Sequence, residues 1–403
     1  MSLQALVICG FLRLSVVLDA ISFRCCCERR VEMIRKHSYL SLALFLGLAS
    51  GLQSCEGIIS GDAGAVFEHG KKNDERSRGS SPNADDLIAR APLRVLSYNT
   101  YHLPADRASL ATSEQRLRFL PDALVRTGAD LIILQELWTP VAQDNLKSAM
   151  VQRGYQYFQS ESRSAVPPFF LGNGLMIFAK KEFRPMGAVE FREWPETIGF
   201  DSYAVKGVLK VPLHIPNIGR VDVFNAHTSF LPWDGENKNY DMSESQTLMA
   251  QVDYLTQWVK SSPAAIKILG ADMNFDPHVW DVSRQGFDNG RKNEFYTKLS
   301  EVLSDPFAIS QANCRFKCET WDNQNNKLLS RGLFGDSSNG SMYDPEPNAR
   351  YDYVMFAGKN IKVAQIGTAM HDEFPVKYKF DTFPSPLSDH YGIVTDLLIP
   401  KVQ

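Results

Sequence analysis

The chain has 403 residues, with 43 Lys and Arg against 46 Asp and Glu, so its formal net charge is −3. An acidic balance does not advertise a polyanionic partner. With 44 % hydrophobic residues the chain can bury a large core.

Residues 1–32 read as an upstream extension ahead of the true start, and Cys25-Cys26-Cys27 has no metal-ligand spacing. Met33 opens a secretory layout over residues 33–54. Arg35, Lys36 and His37 form a basic head, and Tyr39 to Leu48 is an apolar run too short to span a bilayer. The ending "LQSC" resembles a bacterial lipobox, which makes Cys55 a lipidation candidate. The expectation is an exported protein, either lipid-anchored or secreted. Residues 1–55 hold six Lys/Arg and three Asp/Glu, so the rest carries about −6. Residues 56–91 are polar and read as a flexible tether. Residues 92–403 follow without a second linker or internal repeat, as one large domain. Cys314 and Cys318 are candidates for a small disulfide loop in an exported protein; without a second pair they argue only weakly for zinc.

In chain order, "LRVLSYN" (residues 93–99) reads as a buried strand, "RLRFLPDALVRTG" (116–128) as a helix and "ADLIILQEL" (129–137) as a strand. Strand patterns follow in "GNGLMIFAKK", "SYAVKGVLKVPL" and "GRVDVFNAH". Residues 243–260 have helical periodicity, with Leu248, Val252, Leu255 and Val259 on one face. "AAIKILGADMN" is a strand, "NEFYTKLSEVL" a helix, and "YDYVMF" and "YGIVTDLLI" are strands. Two sheets packed face to face with helices outside would bury these runs, an α/β fold.

Polar residues mark the ends of the apolar runs. Asn99, Glu136 and His227 each end a strand pattern. Asp272 and Asn274 end another, Asp352 begins one, and Asp389 and His390 precede the last. Charged groups are rarely buried unpaired, so this recurrence suggests convergence on one site. Hard oxygen donors such as Glu136, Asp389 and Asn99 suit Mg2+. Two histidines with neighbouring carboxylates suit acid–base work. The residues point to metal-assisted hydrolysis of a phosphate ester.

"LSYNTY", "LQELW", "GADMN", "YDYVM" and "PLSDHYG", in that order, resemble the endonuclease/exonuclease/phosphatase superfamily over roughly residues 93–400. The resemblance implies a four-layer α/β/β/α sandwich of two mainly antiparallel sheets, with the site at one end. It implies Glu136 as the main Mg2+ ligand with Asn99 and Asp389 nearby, and Mn2+ or Co2+ as substitutes. Asp272 and Asn274 would position water and phosphate, His227 would bind phosphate or protonate the leaving oxygen, and His390 would be a second acid–base group oriented by Asp352. "GADMN" stands where the family often has Gly-Asp-x-Asn. Within the family, "DSYAVKGVLKVPL" and "CETWD" are similar to segments of bacterial sphingomyelinases, which brings Lys206 near the phosphate. They imply a monomer acting on a membrane phospholipid, sphingomyelin, with no stable nucleic-acid partner. Phe380 and Phe383 stand in an aromatic segment that resembles a membrane-contacting hairpin. The rival readings are a secreted Mg2+-dependent deoxyribonuclease and a non-catalytic surface protein on the same fold.

Overall fold

The computed structural model describes residues 88–102, 107–159, 172–197, 199–234, 237–310, 319–330, 347–378 and 381–402. The leader, Cys55, the tether up to residue 87, Cys314, Cys318 and Phe380 lie outside them. No helix among the described residues is long and apolar enough to cross a membrane.

The strands in chain order are β1 (Arg90–His102), β2 (Leu131–Leu137), β3 (Tyr155–Phe158), β4 (Met176–Lys180), β5 (Arg184–Pro185), β6 (Glu190–Glu193), β7 (Gly207–Ile215), β8 (Gly219–His227) and β9 (Trp233–Asp234). They continue with β10 (Asn239–Tyr240), β11 (Ile266–Asp272), β12 (His278–Asp281), β13 (Gly286–Lys292), β14 (Asp352–Ala357), β15 (Lys362–Ala369), β16 (Glu373–Tyr378), β17 (Asp381–Pro386) and β18 (Gly392–Pro400). One sheet has the order β15-β18-β1-β2-β4-β3; the other runs β14-β11-β8-β7-β5, with β6 also on β7. Each contains one parallel pair, β1/β2 and β8/β11, among antiparallel neighbours. Parallel strands end on the same side, so each sheet delivers two strand ends to one edge.

Strand alternation fills the layers. Leu93, Val95, Leu131, Ile133, Val223 and Ile268 meet between the sheets. The intervening residues, such as Leu96, Ile132, Phe224 and Leu269, face outward under helices. Gly270 makes the close approach possible: a Cβ there would lie 2.6 Å from Ile133 Cδ1. The helix Ser245–Ser261 covers the second sheet through Leu248, Val252, Leu255 and Val259. It stops at Ser262, whose extended backbone precedes Pro263, because a residue before proline is disfavoured in the helical region. The helices Arg107–Arg126 and Pro140–Gln152 cover the first sheet. The four layers are those the sequence led us to expect.

Candidate active site

The alternation that builds the core also aims the site. Along β1 the inward residues are Leu93, Val95, Ser97 and Asn99; along β8 they end in Asn225 and His227; along β11 in Ile268, Gly270 and Asp272. In the second sheet, Asp272 is opposite His227 on one side and Asp352 on the other, so three functional groups share one rung. Glu136 is out of phase. Leu131, Ile133 and Gln135 face inward, which would send Glu136 outward. Its backbone is left-handed instead (φ 57°), and this break turns its carboxylate back into the gap between the sheets. Asn274 is also left-handed, at φ 52°. Such geometry in a non-glycine residue costs about 1–3 kcal/mol and gathers at functional sites.

Asn99 Nδ2 donates to Glu136 Oε1 (3.1 Å) and Asp272 Oδ2 (2.7 Å), while its Oδ1 accepts from the Tyr101 amide at 2.9 Å. It therefore bridges the two carboxylates, and presenting Oδ1 to a cation would need the amide to turn over. His227 Nε2 stands 3.7 Å from both Glu136 Oε1 and Asp272 Oδ2. The Lys206 ammonium reaches the same nitrogen at 3.1 Å, donates to Thr228 O at 3.0 Å and pairs with Asp201 at 2.7 Å. Asn274 Nδ2 donates to Thr228 O at 3.0 Å, and its own amide donates to Asp272 Oδ1 at 3.0 Å. His390 Nδ1 meets Asp352 Oδ2 at 2.7 Å, and its Nε2 is 3.9 Å from Asp272 Oδ2. Asp389 is buried and accepts from Ser388 Oγ at 3.1 Å. All nine residues singled out for catalysis, metal or phosphate thus lie on these neighbouring strand ends and loops.

Electrostatics separates the two imidazoles. Burial lowers the His227 pKa well below its ordinary value, and Lys206 and His390 push it further. Burial also opposes charge on His390, but Asp352 and Asp272 outweigh it and hold the ring protonated. Burial pushes Asp272 up to about 7, against the pull of His390, and it pushes Asp389 to about 7 likewise. Neutral His227 forms no ion pair with Glu136.

The donor set fits a hard divalent cation. Glu136 Oε2 is buried without a hydrogen-bond partner. One ligand atom from each of Glu136, His227 and Asp272 can lie within 4.8 Å of the others, as can one from each of Asp272, Asp352 and His390. A cation at these carboxylates would restore their ordinary acidity.

Four supporting residues escaped sequence reasoning. Gln135 Nε2 donates to Asn225 Oδ1 at 2.9 Å, and Asn225 Nδ2 donates to Leu134 O at 2.8 Å, forming a buried polar layer directly beneath the site. Arg116 is fully buried; its guanidinium donates to Tyr101 O (2.7 Å), Thr100 O (3.4 Å), Ser113 Oγ (3.0 Å) and Leu387 O. It ties the end of β1 to the loop carrying Asp389 and His390. Trp321 packs edge-on against His390, with centroids 5.2 Å apart. A Gln directly before the site Glu, and an Asn two before the site His, were the available signals for the polar layer.

The hairpin β16–β17 carries the aromatic segment. Phe374 stacks on Phe119 of the helix Arg107–Arg126, with centroids 4.9 Å apart, and Gln115 of that helix bonds both backbone groups of Lys377 at 2.8 Å. Phe383 lies on β17.

The profile of the Endonuclease/Exonuclease/phosphatase family matches residues 96–390. No curated protein matches the chain significantly. Solved structures with a similar fold include SmcL (17 % identity, TM-score 0.55, covering 76 % of this chain and 99 % of that one). Sphingomyelinase C from Streptomyces griseocarneus is 19 % identical with TM-score 0.53, over 76 % and 99 % of the two chains. D. rerio TDP2, complexed with a single-strand DNA product, is 18 % identical with TM-score 0.50, over 76 % and 99 %.

Proposed function

Because the chain belongs to the endonuclease/exonuclease/phosphatase family, we propose that it is an exported, Mg2+-dependent phosphodiesterase of phospholipase C type, acting on a membrane choline phospholipid, with sphingomyelin as the leading substrate. The observation that carries the hydrolytic part is the shared rung His227–Asp272–Asp352 facing Glu136 and Asn99 across the sheets, with one Glu136 oxygen buried and unpartnered. The lipid part rests on the segments around Lys206 and Thr320, and on the leader ending in Cys55. Similar folds in a sphingomyelinase C and in a protein bound to DNA support the family and leave the choice between them to experiment.

Glu136, with Asp272 or Asp389 beside it, would hold the cation, and its chemistry when bound is neutralisation of charge on a phosphoryl oxygen. The chain's own residues divide the rest. His227, neutral and buried, would accept a hydrogen bond or a proton at Nε2 once the Lys206 ammonium, 3.1 Å away, turns from it to the phosphate. His390, protonated, donates from Nε2 while Asp352 fixes its Nδ1–H and so its ring orientation. Asn274 and Lys206 place donors beside the developing negative charge. Water attacks phosphorus and yields a proton to His227 Nε2, the P–O bond to ceramide breaks as the ceramide oxygen takes a proton from His390 Nε2, and phosphocholine departs.

The test offers the purified protein sphingomyelin, phosphatidylcholine and plasmid DNA side by side, with Mg2+ and with chelator. Phosphocholine release from sphingomyelin that chelation abolishes is expected. Nicked plasmid without phosphocholine would make the deoxyribonuclease reading the right one, and no hydrolysis of any substrate would favour a binding protein.

A further inference from the structure

Beside the site opens a groove of about 910 Å3. Three chain segments run from one to the other. Asp276 in the groove wall is two residues from Asn274, Arg350 is two from Asp352, and Glu319 is two from Trp321. Two residues of chain span at most about 7 Å, so these wall residues have their Cα atoms within roughly that distance of Asn274, Asp352 and Trp321. The outer wall is the hairpin β12–β13, which brings the half-buried rings of Trp280 and Phe287, set edge to face at 5.2 Å and 79°. Trp280 is held from behind by Trp233 of β9 at 5.2 Å, and its Nε1 donates to Lys238 O at 3.0 Å. Two hairpins lock each other, so the wall is pre-organised.

Its chemistry rejects several occupants. An acyl chain would strand Arg350, Asp305, Asp276 and His278 without water. A quaternary ammonium is best held by a cage of several open aromatic faces, and two of the four rings in this wall are already covered. Lys292 already sits over Tyr296 at 5.1 Å and Arg350 over Phe307 at 4.5 Å. A polyanion would find the cations engaged. Arg350 forks onto Asp305 at 3.2 and 2.6 Å, while Asp276 meets His278 Nδ1 at 3.2 Å and Lys292 meets His278 Nε2 at 3.2 Å. What remains is a wall of interleaved donors and acceptors, in which Asp276, Asp305 and Glu319 accompany Lys292, Arg350 and His278, with Gln285 and Asn289 at the rim, beside two aromatic rings. A pyranose or cyclitol ring complements that surface. Its C–H face packs on aromatic carbon, its hydroxyls both donate and accept, and it carries no formal charge. The volume lies at the upper end of the roughly 300–1,000 Å3 usual for ligand sites.

We propose that this groove binds a neutral polyhydroxylated ring, a sugar or cyclitol, adjacent to the phosphoryl site. Ring binding goes beyond the hydrolytic reading and is tested apart from it; the placement beside the phosphate and the source of the ring rest on that reading.

The test titrates the purified protein with myo-inositol, methyl β-glucoside, methyl β-galactoside and cellobiose, followed by calorimetry, with choline chloride and dAMP as charged controls. At least one neutral ring should bind more tightly than about 10 mM. Phe287→Ser and Asn289→Ala should each weaken that binding several-fold, and Phe287→Ser by about tenfold. Asn289 is exposed, so its variant should keep the wild-type melting temperature. Binding of none of the four, binding unchanged in both variants, or tighter binding of choline or dAMP would overturn the assignment. The ring has two possible sources, and liposomes distinguish them. Release of phosphoinositol from phosphatidylinositol would place it on the substrate. Retention on galactosylceramide without turnover would place it on the membrane surface.

Discussion

His227 and His390 are both buried and both within 3.9 Å of the Asp272 carboxylate, yet their surroundings drive them in opposite directions. His227 ends a regular strand and faces the Lys206 ammonium, with no carboxylate bonded to its ring. His390 sits on a loop with Asp352 fixed to its Nδ1. Position in the fold matters less here than the sign of the nearest charge. One imidazole is kept neutral and the other cationic, which is what an acceptor and a donor acting on one phosphate require.

The largest expected effect comes from removing either ring. His227→Ala and His390→Ala should each lower kcat on a phosphodiester by about 10²–10⁴-fold. The double variant should lose far less than the product, since groups acting as a unit are non-additive. Near wild-type turnover in either single variant would end its catalytic role. Next comes Glu136→Gln, which removes the carboxylate charge 3.7 Å from His227 Nε2. Its affinity for Mg2+, measured by calorimetry, should fall by at least about tenfold. Unchanged affinity would move the cation elsewhere.

Smaller shifts sharpen the comparison itself. Asp352→Asn takes away the charge that holds His390 protonated, so the basic limb of kcat/KM should move to lower pH. Lys206→Met removes a charge that holds His227 neutral, so the acidic limb should move to higher pH by a smaller amount. The stability effects carry opposite signs. His390, with its pKa raised in the fold, contributes stability below about pH 6.5 that is lost as pH rises through the raised value. His227, with its pKa lowered, costs stability as pH falls below about 6.5. Identical limbs in wild type and both variants would show that these neighbours do not set the protonation states.

The regular half of the site was legible because strand alternation carries it. Val223, Asn225 and His227, or Ile268, Gly270 and Asp272, keep period two to the last residue, and the sequence alone placed His227 and Asp272 at one edge. Glu136 was legible by residue type only, since nothing in "LIILQEL" announces the left-handed turn that re-aims it. Arg116 escaped because three of its four partners are backbone carbonyls near Asn99 and Asp389 in the fold, 15 to 271 residues away in sequence. The helix Pro140–Gln152 was missed as well. Its apolar face is thin, and it is fixed by Pro at its start and by the Thr139 side chain accepting from the Ala142 amide. The hairpins β12–β13 and β16–β17 lack clear alternation and pair mainly with themselves. The aromatic segment before "PLSDHYG" proved in part a packing element, because Phe374 lies on Phe119.

The measurement closest to the central claim is a nitrogen NMR titration of the two imidazoles in the metal-free protein, assigned with the single histidine variants. His390 should stay protonated at both nitrogens well above pH 6.5 while His227 stays neutral well below it. Two rings titrating together near 6.5, or in the reverse order, would contradict it.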